Sequence, residues 1–223
     1  MKVSEAYDRF LLKVEKNSTN DNISTDRRRF VELYNEAQNR FVEYIYDMKN
    51  EDDFRYIEKL LVIGKKLEKG NVGGIPRHYS FLLPKDYFEH SSVYALGSKG
   101  SCKNQRIDLP LEVNDMNLAY HLNDEFTKPS FEYRESLYTI GSGSINVYAE
   151  DFDITSVLLN YYRYPIQIGL QNPNNPESDF IDIDLDFDEK VINRILSAAA
   201  MSYTVNDGDP RYQLHNLFAK KEL

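Results

Sequence analysis

Tryptophan is absent from this 223-residue chain, and cysteine occurs once, as Cys102. A single thiol cannot close an internal disulfide, so the fold must rest on packing and hydrogen bonds, and such usage fits a reducing compartment. Basic residues are in the minority: 27 Lys and Arg stand against 36 Asp and Glu, for a formal net charge of −9. That balance argues against a generally cationic face of the kind that grips a nucleic acid backbone. No apolar run approaches the roughly 18 residues of a membrane-crossing helix. The N-terminal MKVSEAYDRF holds no apolar signal core, and the terminal KKEL has no retention meaning without one. Synthesis in a cytoplasm is the expectation.

Tyrosine (17) and phenylalanine (12) are plentiful. Tyrosine buries apolar area while keeping a polar tip, which suits interfaces as well as cores. Residues 4–16 are expected to form a short helix, with Phe10, Leu11 and Val14 on one face. The breaker-rich NSTNDNIST (17–25) reads as a linker. The clearest helix spans about 26–49, capped by Thr25 or Asp26, with Phe30, Leu33, Ala37, Phe41, Ile45 and Met48 recurring every three or four residues. Phe54, Ile57, Leu60 and Leu61 suggest a shorter second helix, pairing with the first as an antiparallel hairpin.

After KGNVGG (69–74) the segments become short, aromatic and punctuated by Gly, Pro, Asn and Asp. HYSFLLP, SSVYALG, YRESLYTIG, INVYAE, DITSVLLNYYRYPIQIGL and DFIDIDLDF read as strands. Small helices are expected at 84–90 and 114–122, and a closing helix at 189–203, with Val191, Ile192, Ile195, Leu196 and Ala199 inward. Helices, then strands, then one helix imply an α+β fold rather than a repeating βαβ sheet. The expected layout is a single domain: a helical part (1–68), an antiparallel, sandwich-like β-rich part (75–187), a closing helix (188–204) and a tail (205–223). Leu214, Leu217 and Phe218 sit at i, i+3 and i+4, so the tail reads as a docking arm.

The most conspicuous stretch for chemistry is DFIDIDLDFDEK (179–190), with six acids in twelve positions. A calcium ion needs oxygens at about 2.3–2.6 Å, whereas alternate residues on a strand stand roughly 6.6–6.8 Å apart. Carboxylates on a straight strand therefore line up and do not converge. An EF-hand register from Asp182 puts Phe187 at the glycine position and Asn193 at the bidentate glutamate position, and both fail. The structural reading is a two-faced strand: Ile181, Ile183, Leu185 and Phe187 inward, and Asp182, Asp184 and Asp186 displayed to solvent, a channel or a neighbour. Asp186 and Glu189 then form a D-x-x-E box at the start of the last helix. A metal-dependent hydrolase or nuclease using the 182–188 acids is the alternative.

Other motifs fall short of a catalytic pattern. His78, His90, His121 and His215 show no zinc-binding spacing. Lys99 and Lys103 flank Cys102, but no partner stands at a defined spacing. IGSGSIN (140–146) lacks the lysine of a P-loop and the third glycine of a dinucleotide fingerprint, so it reads as a loop between strands. Interaction residues remain. Arg27, Arg28 and Arg29 open a helix against its macrodipole and call for acidic partners. Tyr161, Tyr162, Arg163 and Tyr164 concentrate residue types typical of interface hot spots. No catalytic, cofactor-binding or metal-ligating residue is assigned.

Several stretches in order are similar to a known group: RRRFVELYNEAQNRFVEYI, FLLPKDYFEHSSVYA, KPSFEYRESLY, SINVYAEDFDITSVLLNYYRYPIQI and IDLDFDEKVINRILSAAAMSY. Together, over about 25–204, they resemble virion structural proteins of crAss-like and related tailed bacteriophages, most of all the ring or head–tail connector proteins below the portal. That resemblance implies a non-enzymatic subunit of a homo-oligomeric ring, twelve-fold to match a portal, around a channel that conducts DNA. It implies an arm engaging the next subunit or ring, portal and tail proteins as partners, DNA only as passing cargo, no cofactor, no membrane, and a place in the virion. An acidic lumen suits that role, because each phosphate contact would retard the DNA. A cytoplasmic adaptor outside the virion is a further alternative.

Overall fold

The computed structural model describes residues 1–15, 26–48, 51–74 and 76–206. Two compact units divide the chain: Met1–Leu60 with Tyr164–Leu223, and Leu61–Arg163. The element order, helices then strands then a helix, is that of an α+β protein.

In the first unit, α1 (Val3–Glu15) and α2 (Arg27–Met48) each pack chiefly against α5 (Glu189–Asn206). Helical spacing explains the buried sets. Val3, Ala6, Phe10 and Val14 line one side of α1; Phe30, Leu33, Tyr34, Ala37, Val42 and Ile45 line α2; and all five inward residues expected of the closing helix are buried. Met48, expected on the apolar face, is exposed. Rings of Tyr7, Phe10, Phe30, Tyr34 and Phe180 meet at centroid distances of 5.1–5.8 Å, as aromatic packing prefers. Asp26 caps α2, its Oδ1 accepting from the Arg28 amide at 2.8 Å.

The expected second helix of a hairpin is a single turn, α3 (Glu51–Phe54), followed by a 3-10 turn (Glu58–Leu60). Ile57 and Leu60 are buried as their spacing suggested, but the chain reaches them through turns and then becomes strand.

The second unit is an eight-stranded mixed sheet: β1 (Leu61–Lys66), β2 (Glu68–Gly73), β3 (His78–Leu82), β4 (Tyr87–Lys99), β5 (Cys102–Glu112), β6 (Glu135–Gly141), β7 (Ser144–Tyr148) and β8 (Asp153–Arg163). Their spatial order is β1-β8-β4-β5-β6-β7-β3-β2. The two ends of that order are consecutive in sequence, separated only by Leu67. The Leu67 amide donates to the Val157 carbonyl at 3.0 Å, Lys66 pairs with Leu158 in β8, and Glu68 pairs with Leu82 in β3. Residues 61–73 are thus one bent strand bonded to β8 in its first half and to β3 in its second. The sheet curls and closes on itself, which removes most of the free edge an open sheet would leave. One core fills it, with Leu67, Phe81, Ala95, Ile107, Ile145, Val147, Ile154, Val157 and Leu159 among its members. A single closed sheet stands where a sandwich of two was expected.

β5 and β6 run parallel, so they need a crossover, and α4 (Asp115–Asn123) lies within it. The β6–β7 turn places Ser142 at φ 50° and Gly143 at φ 74°. Two consecutive left-handed residues match the twist of a tight hairpin, so IGSGSIN is the inter-strand loop its flanks implied. The expected helix at 84–90 is instead a turn, with the Tyr87 amide bonded to the Pro84 carbonyl at 3.1 Å, leading directly into β4.

Candidate functional site

The acidic stretch lies in the first unit and is not a strand. It forms only isolated bridges, Leu170 with Phe180 and Lys2 with Asp184. Alternation alone does not make a strand when no neighbouring strand offers a continuous edge. Ile181 is about half exposed, Ile183 and Leu185 are half-buried and Phe187 is buried, so the expected apolar face is present from Ile183 on and deepens towards the C-terminal end. The acids have separate partners. Asp179 pairs with Arg27 at 2.9 Å. Asp182 and Asp184 share Lys2, at 3.3 and 3.6 Å. Asp186 accepts from the Ile166 amide at 2.7 Å. Asp188 pairs with Lys59, and Glu189 with Arg9 at 2.6 Å. Asp186 therefore spends a carboxylate oxygen on Ile166. The cations come from α1, α2 and the 3-10 turn of the same chain. The segment is a strap tied down in cis, its carboxylates spread over Arg27, Lys2, the Ile166 amide, Lys59 and Arg9 rather than gathered at one point. Among the described residues, no three of His, Cys, Asp and Glu are grouped to hold a metal ion.

The strap's start also answers the arginine cluster. Arg27 bonds Asp179 and the Glu177 carbonyl (3.2 Å) and lies over the Phe180 ring. Arg28 pairs with Glu32 along the helix at 3.5 Å, and Arg29 is half-buried. The acidic partner that three arginines at a helix start demanded is within the chain, at least for Arg27.

The remaining interface candidates are dispersed. Tyr161 is buried in the closed sheet, its hydroxyl donating to Asp86 at 3.0 Å. Tyr162 and Arg163, half-buried at the end of β8, lie opposite Leu61 and Tyr87. Tyr164, exposed, belongs to the first unit. Leu214, Leu217 and Phe218 lie outside the described residues. Cys102 is exposed in the β4–β5 hairpin. Lys99, the cross-strand partner of Cys102, pairs with Glu132 at 2.6 Å and with Asp151.

Two polar clusters of the second unit escaped the sequence, because their members come from distant strands. Around His90, Tyr138 Oη lies 3.0 Å from Nε2 and Tyr87 Oη 3.3 Å from Nδ1. Glu89 and Glu112 approach the same two nitrogens at 3.1 and 3.4 Å. Burial first, then the two carboxylates, pushes both tyrosine pKa values up, so the hydroxyls stay protonated and cross-link β4, β5 and β6. In the second cluster, Tyr79 donates to Asp153 at 2.7 Å beside Arg77. Burial and that bond push Tyr79 up to about 12. The Tyr79 hydroxyl, followed by Arg77, holds the Asp153 carboxyl below its ordinary value.

A cavity of about 470 Å³ opens between α4 and the 74–77 turn, lined by Leu118, Leu122, Pro129, Tyr148, Arg77 and Glu150 among others. The inner side of α4 packs Leu118 and Leu122 against Val113, Leu137 and Tyr148. Its outer side is unlike an ordinary solvated helix face. Met116 is 95% exposed and Tyr120 70%, and in the turns beyond, Phe126 is 93% and Tyr133 82% exposed. No helix among the described residues is long and apolar enough to cross a membrane. No family model and no curated protein matches the chain.

Proposed function

We propose that this chain is a structural, non-enzymatic subunit of a tailed-phage virion, forming a homo-oligomeric ring in the head–tail connector through which DNA passes. The observation that supports an assembly role is the outer face of α4 with the turns after it. Met116, Tyr120, Phe126 and Tyr133 expose large apolar and aromatic surface that this chain's own core does not use. Single exposed apolar residues are ordinary, but several on one short segment are the mark of a surface meant to be covered. Aromatic and Met residues are also the types enriched at subunit interfaces.

The acidic strap fits this reading differently from the sequence expectation. Asp182, Asp184 and Asp186 have partners in cis, so they need no arginine from a neighbour. The net charge of −9 still keeps the surface poor at retaining a polyanion, as a DNA-conducting ring requires. The dispersed partners of the strap give no support to a hydrolase built on it. The test is mass analysis of purified tailed-phage particles whose genome encodes this chain. The chain is expected as a multi-copy particle component, and its absence from particles would refute the virion role.

A further inference from the structure

The second unit carries two unlike surfaces. One is the α4 face just described. Asp115 and Glu125 flank Met116 and Phe126 there, both exposed and neither in an ion pair among the described residues. Through Leu118 and Leu122 the helix sits over the ends of β5, β6 and β7. The other surface is the bent strand 61–73 with its neighbour β3. Ile63 is 75% exposed, Val72 and Leu82 are each about half exposed, and Lys65 and Lys66 are exposed, with no ion pair among the described residues. Around the sheet, β8 and β4 separate β1 from β5 on one side, and β3 separates the bent strand from β7 on the other. β1 is bonded to a strand on one side only, so it also keeps unpaired backbone that favours contact with another chain.

We propose that the α4 face of one copy docks on the 61–73 strand of a second copy. This rests on the ring reading above and names its contact surfaces. Apolar residues meet apolar residues, and Asp115 and Glu125 approach Lys65 and Lys66, which sets orientation and partner choice. Because the two faces are different, the contact is head-to-tail. Each copy keeps one free face after pairing, and the series ends only by closing into a ring or by running on as a filament.

Two half-face variants test this in sedimentation and native mass measurements on the full chain. Met116→Glu with Phe126→Glu blocks the α4 face. Ile63→Glu with Lys65→Glu and Lys66→Glu blocks the strand face. All five positions are exposed, so thermal melts matching the parent serve as the folding control. The parent is expected to associate beyond a dimer, more weakly as salt rises, and each variant alone to remain monomeric. An equimolar mixture has one intact interface and is expected to stop at a one-to-one pair. In a single chain, Asp115→Lys and Glu125→Lys combined with Lys65→Glu and Lys66→Glu is expected to restore association, which either charge reversal alone weakens by roughly ten-fold or more. Variants that associate like the parent, or a mixture that fails to pair, overturn these surfaces while leaving the ring reading standing. A parent that stays monomeric at every concentration overturns the proposal, and the particle analysis then decides the virion reading on its own.

Discussion

Asn35 on α2 does the work of a missing strand. Its side-chain amide donates to the Ile168 carbonyl and accepts from the Ile168 amide, both at 2.9 Å. Gln38, one turn on, donates to the Ile166 carbonyl at 3.2 Å and to Asn35 at 3.1 Å. The irregular chain after β8 is thereby zipped to a helix by side chains. Ile168 is buried, so Asn35→Ala strands two backbone groups. At about 1–3 kcal/mol per unpaired buried group, and with Asn35 itself only half-buried, the loss is roughly 2–4 kcal/mol. In a chain of this size that lowers the melting temperature of the first unit by roughly 5–12 °C. Asn35→Asp keeps the acceptor for the amide but sets a carboxylate against the Ile168 carbonyl. Its folded pKa must then lie above the unfolded value of about 3.9. A protonated acid can still donate, so this variant is expected to be near the parent at low pH and to lose stability as pH rises through the raised folded pKa. Far-UV circular dichroism melts from acid to neutral pH, with hydrogen exchange at the Ile168 amide, read both variants. An Asn35→Ala melt within about 0.5 kcal/mol of the parent, or an Asn35→Asp melt indifferent to pH, would refute the reasoning.

Other expectations follow from single contacts. Tyr34 is fully buried, its hydroxyl without a hydrogen-bond partner among the described residues, and burial together with Asp186 pushes its pKa up. Tyr34→Phe is expected to be neutral or to stabilise by up to about 1 kcal/mol in urea titration, and a clear loss would show a partner at that hydroxyl. A Cβ at Gly97 would meet Ile107 at 2.8 Å and Phe152 at 3.3 Å inside the sheet, so Gly97→Ala should destabilise the second unit by about 1–3 kcal/mol. An unchanged melt would mean that the closed core is looser than described. Tyr79 and Tyr161, both pushed up to about 12 chiefly by burial, contribute stability below the unfolded value of about 10 that is lost as pH rises towards about 12. Phenolate absorbance titration of Tyr79→Phe and Tyr161→Phe should each remove one late-titrating group, and titration of both residues at the ordinary value would contradict the burial.

Periodicity made the helices and several strands legible. The faces of α1, α2 and α5 recur at helical spacing, and β3, β6, β7 and most of β4 and β8 alternate or cluster between turn residues. The 61–73 strand was illegible. Its sequence, LVIGKKLEKGNVG, is polar because it lies mostly exposed, and the apolar residues leading into it fall at helical intervals. Closure of the sheet depends on that strand bonding both β8 and β3, which no local pattern carries. The 179–188 stretch misled in the opposite way. Its period of two is real, but lysines and arginines rather than strands surround it, so charge pairing set its course. The same long-range pairing hid the His90 and Tyr79 clusters, whose members are separated in sequence by up to 76 residues. The exposed residues of α4 were readable as a helix but not as an uncovered face, because only packing shows which side Leu118 and Leu122 take.

Single-particle imaging of the purified full chain, alone and mixed with the portal protein of a tailed phage whose genome encodes it, tests the proposed ring most directly. The account predicts closed rings in which α4 of each copy meets the 61–73 strand of the next. Monomers under both conditions, with no ring on the portal, would contradict it.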